Sequence, residues 1–347
     1  MDESEYAANV VAAVKYSRDQ NDGANKQKIR WKVFSIPSTT YKDSNGDVGS
    51  TGVIDLEALD DILAGKWNTG CKLLDPESKC MVCSTHIPTN SGIINPSSLP
   101  KCFYLVDACQ SAGEIQLDVQ KIQCHALTAT GRRYLRGPRG TGFLYVQNVV
   151  ANVPEPSHID HFSTPVVKLP DPTLTEVRGA AAASLSPLSG SIDLTKKLWY
   201  NHKKGSARFE FWESNIASKL GLGAAVDYAM NEVGMVEVQT KTCTLGAVLR
   251  SRLREIEQVQ VYHDHDSHRQ CGIVVFSVDG IDPARPSSVD ESAQMFEVSV
   301  VPASSTPVDS AKSSTTDLIR ASLSYFNTEK EIDLFCAKLD EFIKRCR

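Results

Sequence analysis

Apolar positions first recur at helical spacing near the start of the chain, where Tyr6, Val10, Val11 and Val14 predict a helix over residues 5–18. Residues 31–36 alternate as a strand does and stop at Pro37. Residues 43–47 are turn chemistry, and Leu56, Leu59, Ile62 and Leu63 predict a short helix capped by Asp55. Four compact apolar runs follow, at 79–85, 102–106, 122–130 and 142–146, the first leading into a loop rich in Pro, Asn, Ser and Gly. Short apolar runs alternating with helical patterns predict an α/β fold, a mainly parallel sheet covered by helices. Ligands of such sheets gather at the carboxyl ends of the strands, so the chemistry is expected after Thr85, Asp107 and Thr130.

The middle of the chain reads differently. Residues 158–190 hold four prolines and an Ala/Ser-rich patch at 180–186, the composition of a long irregular connection. A strong helical pattern runs over 216–233 despite Gly221 and Gly223. After Gly234 come a helix at 245–257, strands at 258–262 and 272–278, and a last helix at 328–344. We therefore expect two domains, a large one over 1–233 and a small α+β one over 234–347.

Composition narrows the function. The 347 residues are 41% hydrophobic and 23% charged, ordinary globular values, with a net charge of −5. A mildly acidic chain has no general attraction to polyanions, which argues against nucleic-acid binding. No apolar run is long enough to span a membrane. The acidic start and ten scattered cysteines suit a reduced, cytoplasmic protein better than a secreted one. Cys80 and Cys83 have CxxC spacing but lie in an apolar run with no second pair, so zinc or redox use is not expected. The His-rich segment 263–268 reads as a polar hairpin between strands, so no metal site is expected.

Two segments carry chemistry. In residues 104–113 a carboxyl group, Asp107, directly follows a buried run, with Gln110 three residues on and small residues after it. Such an acid either caps the next helix or holds a heteroaromatic nitrogen protonated. Residues 128–142 hold four glycines and four arginines in fifteen positions. Exposed backbone N–H groups and guanidinium forks in a turn after a strand suit an anionic phosphate.

These motifs resemble the class V aminotransferase family of pyridoxal phosphate (PLP) enzymes, nearest to its branch of ergothioneine-type C–S lyases and cysteine desulfurases. The resemblance extends over residues 5–9, 52–63, 85–96, 104–146, 208–228 and 319–333. It implies PLP fold type I, a homodimer, a small amino-acid substrate and PLP as cofactor. It places Asp107 at the pyridine nitrogen, Gln110 with Thr89 or Asn90 near the phenolic oxygen, and Thr130 and Arg132 at the phosphate. Arg320 matches the clamp for the substrate α-carboxylate, and Arg208 an arginine at the site's rim.

The departures bear on catalysis. The family's Schiff-base lysine position holds Arg133, and a guanidinium is no amine nucleophile. The segment at 5–9 normally lies well inside the family chain, so the turn that cups the phosphate is missing from this sequence, and Ala7 stands where desulfurases carry a stacking His. Residues 95–101 are short where a helix is usual, and Glu213 replaces a Thr that reaches the partner subunit's phosphate. The loop at 303–316 has no Cys, so sulfur transfer through a protein thiol is not expected. The resemblance thus implies a family member with impaired catalysis that binds cofactor weakly and non-covalently, or not at all. The alternative is an active amino-acid C–S lyase or aminotransferase that uses Asp107, Gln110 and Arg320.

Overall fold

A computed structural model describes residues 7–22, 33, 35–42, 48–64, 80–95, 102–152, 155–168, 198–263, 267–283, 296–306 and 317–346. They fall into two compact units, Met1–Phe143 with Ala217–Arg347, and Leu144–Ile216.

In the first unit, α1 (Ala7–Asp22) precedes the antiparallel pair β1 (Ser38–Lys42) and β2 (Val48–Ile54). Helix α2 (Leu56–Leu63) begins where expected, because the Asp55 side chain accepts from Ala58 N at 3.0 Å. Strands β3 (Met81–Thr85), β4 (Phe103–Asp107), β5 (Ala126–Thr130) and β6 (Gly142–Val146) form a four-stranded sheet in that order. The β3–β4 and β4–β5 pairs are parallel. In β4, Tyr104 and Val106 are buried while their neighbours are half-buried. Between β4 and β5, α3 (Val119–Ile122) is capped by Asp118 and stops at Gln123 in the left-handed region, φ 57°.

The C-terminal part of this unit is an antiparallel sheet. Helix α4 (Ile216–Asp227) passes through a π-helical turn (Tyr228–Val233) into α5 (Met235–Arg254). Gly234, at φ 86°, makes the break between them. Strands β9 (Val259–Val261), β10 (Ile273–Val278), β11 (Ser299–Val301) and β12 (Leu318–Ser322) assemble in the order β11-β12-β10-β9. Helix α6 (Glu329–Arg345) starts on a reciprocal cap between Thr328 and Glu331. Leu245, Leu249 and Leu253 of α5, Val274 and Phe276 of β10, and Ile332 of α6 form a continuous core. Each such side chain contributes about 1.5–3 kcal/mol by leaving water. The second unit contains β7 (Val166–Lys168) paired antiparallel with β8 (Leu198–Tyr200).

The first strand differs from expectation. The ladder of β1 starts after Pro37, with Ser38 opposite Ile54, and Ile36 before it makes only a single bridge. Of the expected strand 31–36, Trp31, Lys32 and Phe34 lie outside the described residues. So do the expected turn 43–47, Lys101 and most of the link before it, the Ala/Ser-rich patch 180–186, and residues 307–316 of the Ser/Thr loop. The helical pattern at 216–233 divides into α4 and the π turn, and the helix expected at 245–257 begins ten residues earlier, at Met235. Among the described residues no helix is long and apolar enough to cross a membrane.

Candidate functional site

The parallel register sets Thr85 beside Asp107 and Asp107 beside Thr128, so β3, β4 and β5 end side by side. Two backbone bonds extend this alignment past the strands, His86 N to Asp107 O at 2.9 Å and Ala108 N to Thr128 O at 2.8 Å. The loop after β3 turns at Pro88, whose carbonyl accepts from Gly92 N at 3.1 Å. That turn brings Thr89 to Gln110, whose Nε2 donates to Thr89 Oγ1 at 3.0 Å. Asn90 is buried in the same turn. Thr89, Asn90, Asp107, Gln110 and Thr130 therefore gather at one sheet edge, as the sequence pattern predicts.

The groups around Asp107 are well partnered. Its Oδ2 accepts from Asn9 Nδ2 of α1 at 2.9 Å, and its Oδ1 from Cys109 N at 2.9 Å. Burial first, and then the Asp107 carboxyl beside it, push the Cys109 thiol up to about 12, so this sulfur is no nucleophile at neutral pH. His86 is buried with its Nδ1 3.1 Å from Ser111 Oγ, and burial pushes it down to about 4, so its imidazole is neutral.

The turn after β5 is built on backbone. Gly131 N donates to Thr141 O at 2.9 Å, Gly137 N to Gly131 O at 2.8 Å, and Thr130 Oγ1 to Thr141 O at 3.4 Å. A Cβ at Gly131 would lie 2.3 Å from Thr141 Oγ1 and 2.7 Å from the Leu222 side chain, so a larger residue there would push these side chains aside. Arg132 is exposed and Arg133 half-buried. Arg136 donates to the Tyr325 hydroxyl, and its guanidinium lies 4.9 Å from the Tyr325 ring and 5.3 Å from that of Phe326.

Arg320 lies on β12, opposite Val275 of β10 and Ser299 of β11. Its Nε is buried and has no hydrogen-bond partner among the described residues. Burial and then the positive charge of Arg133 disfavour its charged form, while Tyr134 and Glu114 favour it. Glu114 is fully buried, and its Oε1 accepts from Gly272 N at 2.8 Å. Burial pushes its carboxyl up to about 7, against the pull of hydrogen bonds and of Arg250 and Arg320. Arg250, also buried, donates to Cys271 O at 3.0 Å and Ile273 O at 2.6 Å.

Arg208 belongs to the second unit, where its Nε donates to Lys203 O at 3.1 Å and its Nη1 to Asn152 O at 2.9 Å. Sequence reasoning did not single out Asn9, Cys109, Glu114 or Arg250 as site residues. A Glu in the small-residue run after Gln110 was a readable signal, because a carboxylate there must find a partner. Asn9 and Arg250 are brought in only by packing. Among the described residues no group of three or more His, Cys, Asp and Glu could hold a metal ion. His263 and Ser267–Arg269 lie between β9 and β10, and residues 264–266 are outside the described set.

The acid at Asp107, the Gln110–Thr89 pair and the glycine turn after β5 suit the ring and phosphate of PLP. Known proteins agree on that class. The model of the aminotransferase class-V family matches residues 64–171 and 173–335. The chain belongs to the class V aminotransferase family, whose cofactor is pyridoxal phosphate. A probable cysteine desulfurase of Methanothermobacter thermautotrophicus is 29% identical over 69% of this chain and 52% of its own length. One of Synechocystis sp. is 27% identical over 79% of this chain and 59% of its own. The chain thus spans between half and two thirds of these relatives. Among solved structures, the apo cysteine desulfurase of Thermococcus onnurineus covers 98% of this chain and 71% of its own, with a TM-score of 0.70 and 21% identity. A cystine C–S lyase in complex with cysteine persulfide covers 77% of this chain and 62% of its own, with a TM-score of 0.56 and 22% identity. The fold is PLP fold type I.

Proposed function

We propose that the chain is a class V PLP-type protein that receives cofactor and a small amino-acid ligand without covalent attachment, its lyase or transferase chemistry impaired. The observation that carries this reading is Arg133, two residues past the Gly131 start of the turn and three past Thr130, where the resemblance expects the Schiff-base lysine. A guanidinium stays protonated and does not condense with an aldehyde.

The remaining residues still divide the work of binding. Bound PLP supplies an electron sink for bonds at the amino-acid α-carbon. Asp107, held by Asn9 and by Cys109 N, would meet the ring nitrogen, and Gln110 with Thr89 or Asn90 the phenolic oxygen. Thr130 and Arg132 would take the phosphate, the Gly131 and Gly137 N–H groups being committed to carbonyls of the turn, and Arg320 would take the ligand's α-carboxylate. Arg208 keeps the rim role that the resemblance gives it, and within its own unit it bonds Lys203 and Asn152.

The reading includes a homodimer, a cytoplasmic setting and domains divided at Gly234. Leu220, Met230 and Val236 are 71%, 60% and 66% exposed on α4, the π turn and α5, which supports a covered face in a dimer. The intact geometry of Asp107 and Gln110 favours a second reading, an active C–S lyase or aminotransferase. Borohydride reduction in the presence of PLP, followed by peptide mass mapping, separates the two. The impaired reading expects no pyridoxyl-lysine in the wild type, and cofactor that leaves on gel filtration. An adduct on any wild-type lysine of this site would overturn it.

A further inference from the structure

At the amino ends of β3 and β4, away from the strand ends that carry Thr85 and Asp107, two cysteines stand side by side. The parallel register pairs Met81 with Phe103 and Val82 with Tyr104, which sets Cys80 beside Cys102 one residue earlier. Phe103 N donates to Cys80 O at 3.1 Å and ties the two segments at that point. Side chains alternate along a strand, so Cys80, Val82 and Ser84 share a face with Cys102, Tyr104 and Val106. Ser84 Oγ lies 3.1 Å from the Tyr104 hydroxyl, so side chains of the two strands do meet on that face. At its start the Cys102 thiol is hydrogen-bonded with that of Cys80. Neighbouring strands run about 4.8 Å apart, inside the span of roughly 4.4–6.8 Å that a disulfide bridges between Cα atoms. The CxxC spacing points elsewhere, since Cys83 lies three residues on, faces the other side of the sheet and pairs with Leu105.

The two sulfurs are unequal. Cys102 is 8% exposed, whereas Cys80 is half-buried. Burial first, and then the hydrogen bond and charge of Cys80, push the Cys102 thiol up to about 12. Cys80 is therefore the sulfur that meets a reagent from solvent, and Cys102 the one that waits behind it. Once Cys80 is held in a mixed disulfide its charge is gone, and that part of the penalty on a Cys102 thiolate is lifted.

We propose that Cys80 and Cys102 form a reversible disulfide that staples β3 to β4, made by exchange with a low-molecular-weight disulfide such as oxidised glutathione. Cys80 loses its proton and attacks one glutathione sulfur, the glutathione S–S bond breaks, and one glutathione thiolate leaves. Cys102 then loses its proton and attacks Cys80 Sγ, which releases the second glutathione. The two cysteines give up two electrons to the glutathione disulfide, and their two protons end on the two glutathione thiols. The bond closes a covalent ring over residues 80–102, the segment that carries Thr89 and Asn90, and so restricts the unfolded chain. It stands apart from the cofactor reading and needs no bound ligand.

The full chain, equilibrated under native conditions at varied ratios of reduced to oxidised glutathione, is quenched in acid, alkylated and cut with trypsin. Cleavage after Lys79, Lys101 and Lys121 puts Cys80 and Cys102 on separate peptides, 80–101 and 102–121. The oxidised chain should give these two joined, lighter than their sum by the two hydrogens lost. Fragmentation should place the bond at Cys80 and Cys102, not at Cys83 or Cys109, and dithiothreitol should release it. Cys102→Ala should instead hold one glutathione on Cys80, and Cys80→Ala should leave Cys102 without glutathione at the same exposure. Thermal melts check that the variants fold, and the wild-type map carries the test where one does not. Peptides that stay separate at every ratio, a glutathione that persists on wild-type Cys80, or a bond from Cys80 to Cys83 or any other cysteine would overturn the proposal.

Discussion

The strand ends around Asp107 and the region around Glu114 lie a few residues apart in sequence, yet they handle buried polarity in opposite ways. At Asp107 both carboxyl oxygens have donors, one from a backbone N–H and one from Asn9, and the nearby Gln110 bonds Thr89. Around Glu114, one fully buried carboxyl bonds Gly272 N and lies in the field of Arg250 and Arg320. The first region is closed by these hydrogen bonds. The second leaves Glu114 Oε2 and Arg320 Nε buried without a hydrogen bond among the described residues. A satisfied buried network rigidifies its surroundings, whereas an unpaired buried polar group is costly.

The largest effect should come from breaking the second region. Arg250→Met leaves two carbonyls and the Glu114 carboxyl without their cation, and should destabilise the chain by about 3–5 kcal/mol in denaturant unfolding. Arg250→Lys should recover only part of this, because a single ammonium cannot meet Cys271 O and Ile273 O in the same geometry.

The next effect sets the two regions against each other by pH. Glu114 keeps its proton in the folded state up to about 7, against a usual 4.5, so between those values the unfolded chain binds fewer protons and stability falls as pH rises. His86 behaves oppositely. Its folded value of about 4 lies below the usual 6.5, so the unfolded chain binds more protons across that window and stability rises with pH. Each is worth roughly 3 kcal/mol across its window, and in the wild type they nearly cancel. Glu114→Gln should unmask a rise in stability from pH 4 to 6.5, and His86→Asn a fall from pH 4.5 to 7, read from denaturant midpoints. Parallel, flat curves in both variants would mean that neither group keeps the ionisation assigned to it.

Smaller effects probe the joints. Arg136→Met removes the cation from the Tyr325 and Phe326 rings and should cost about 1 kcal/mol in thermal melts. Asn9→Ala should cost about 1 kcal/mol by taking one donor from Asp107. The same variant should weaken PLP binding in a spectral titration, since Asn9 holds the Asp107 carboxyl.

Much of the layout was legible from local pattern. The apolar runs gave β3, β4, β5 and β6, and Asp55 and Thr328 announced their helices because a capping side chain acts within one turn. The placement of Thr89, Asp107, Gln110 and Thr130 at one edge followed from parallel pairing, which needs only the order of strands and the rule about their carboxyl ends. Strand β12, which carries Arg320, was missed as a strand. Its Leu318–Ser322 run is short, and Arg320 pairs with Val275 of β10, 45 residues away, and with Ser299 of β11, 21 residues away.

By itself, then, the sequence determined the elements whose signals are local, the family, and the identity of the residue at 133, because caps, periodicity and motifs act between near neighbours. The tertiary structure alone decided that Asn9 reaches Asp107 from 98 residues away and that Glu114 meets Gly272 across 158. Burial is the physical reason. A charge on a flexible chain is screened by water, and only packing strips that water away and makes its distant neighbours count.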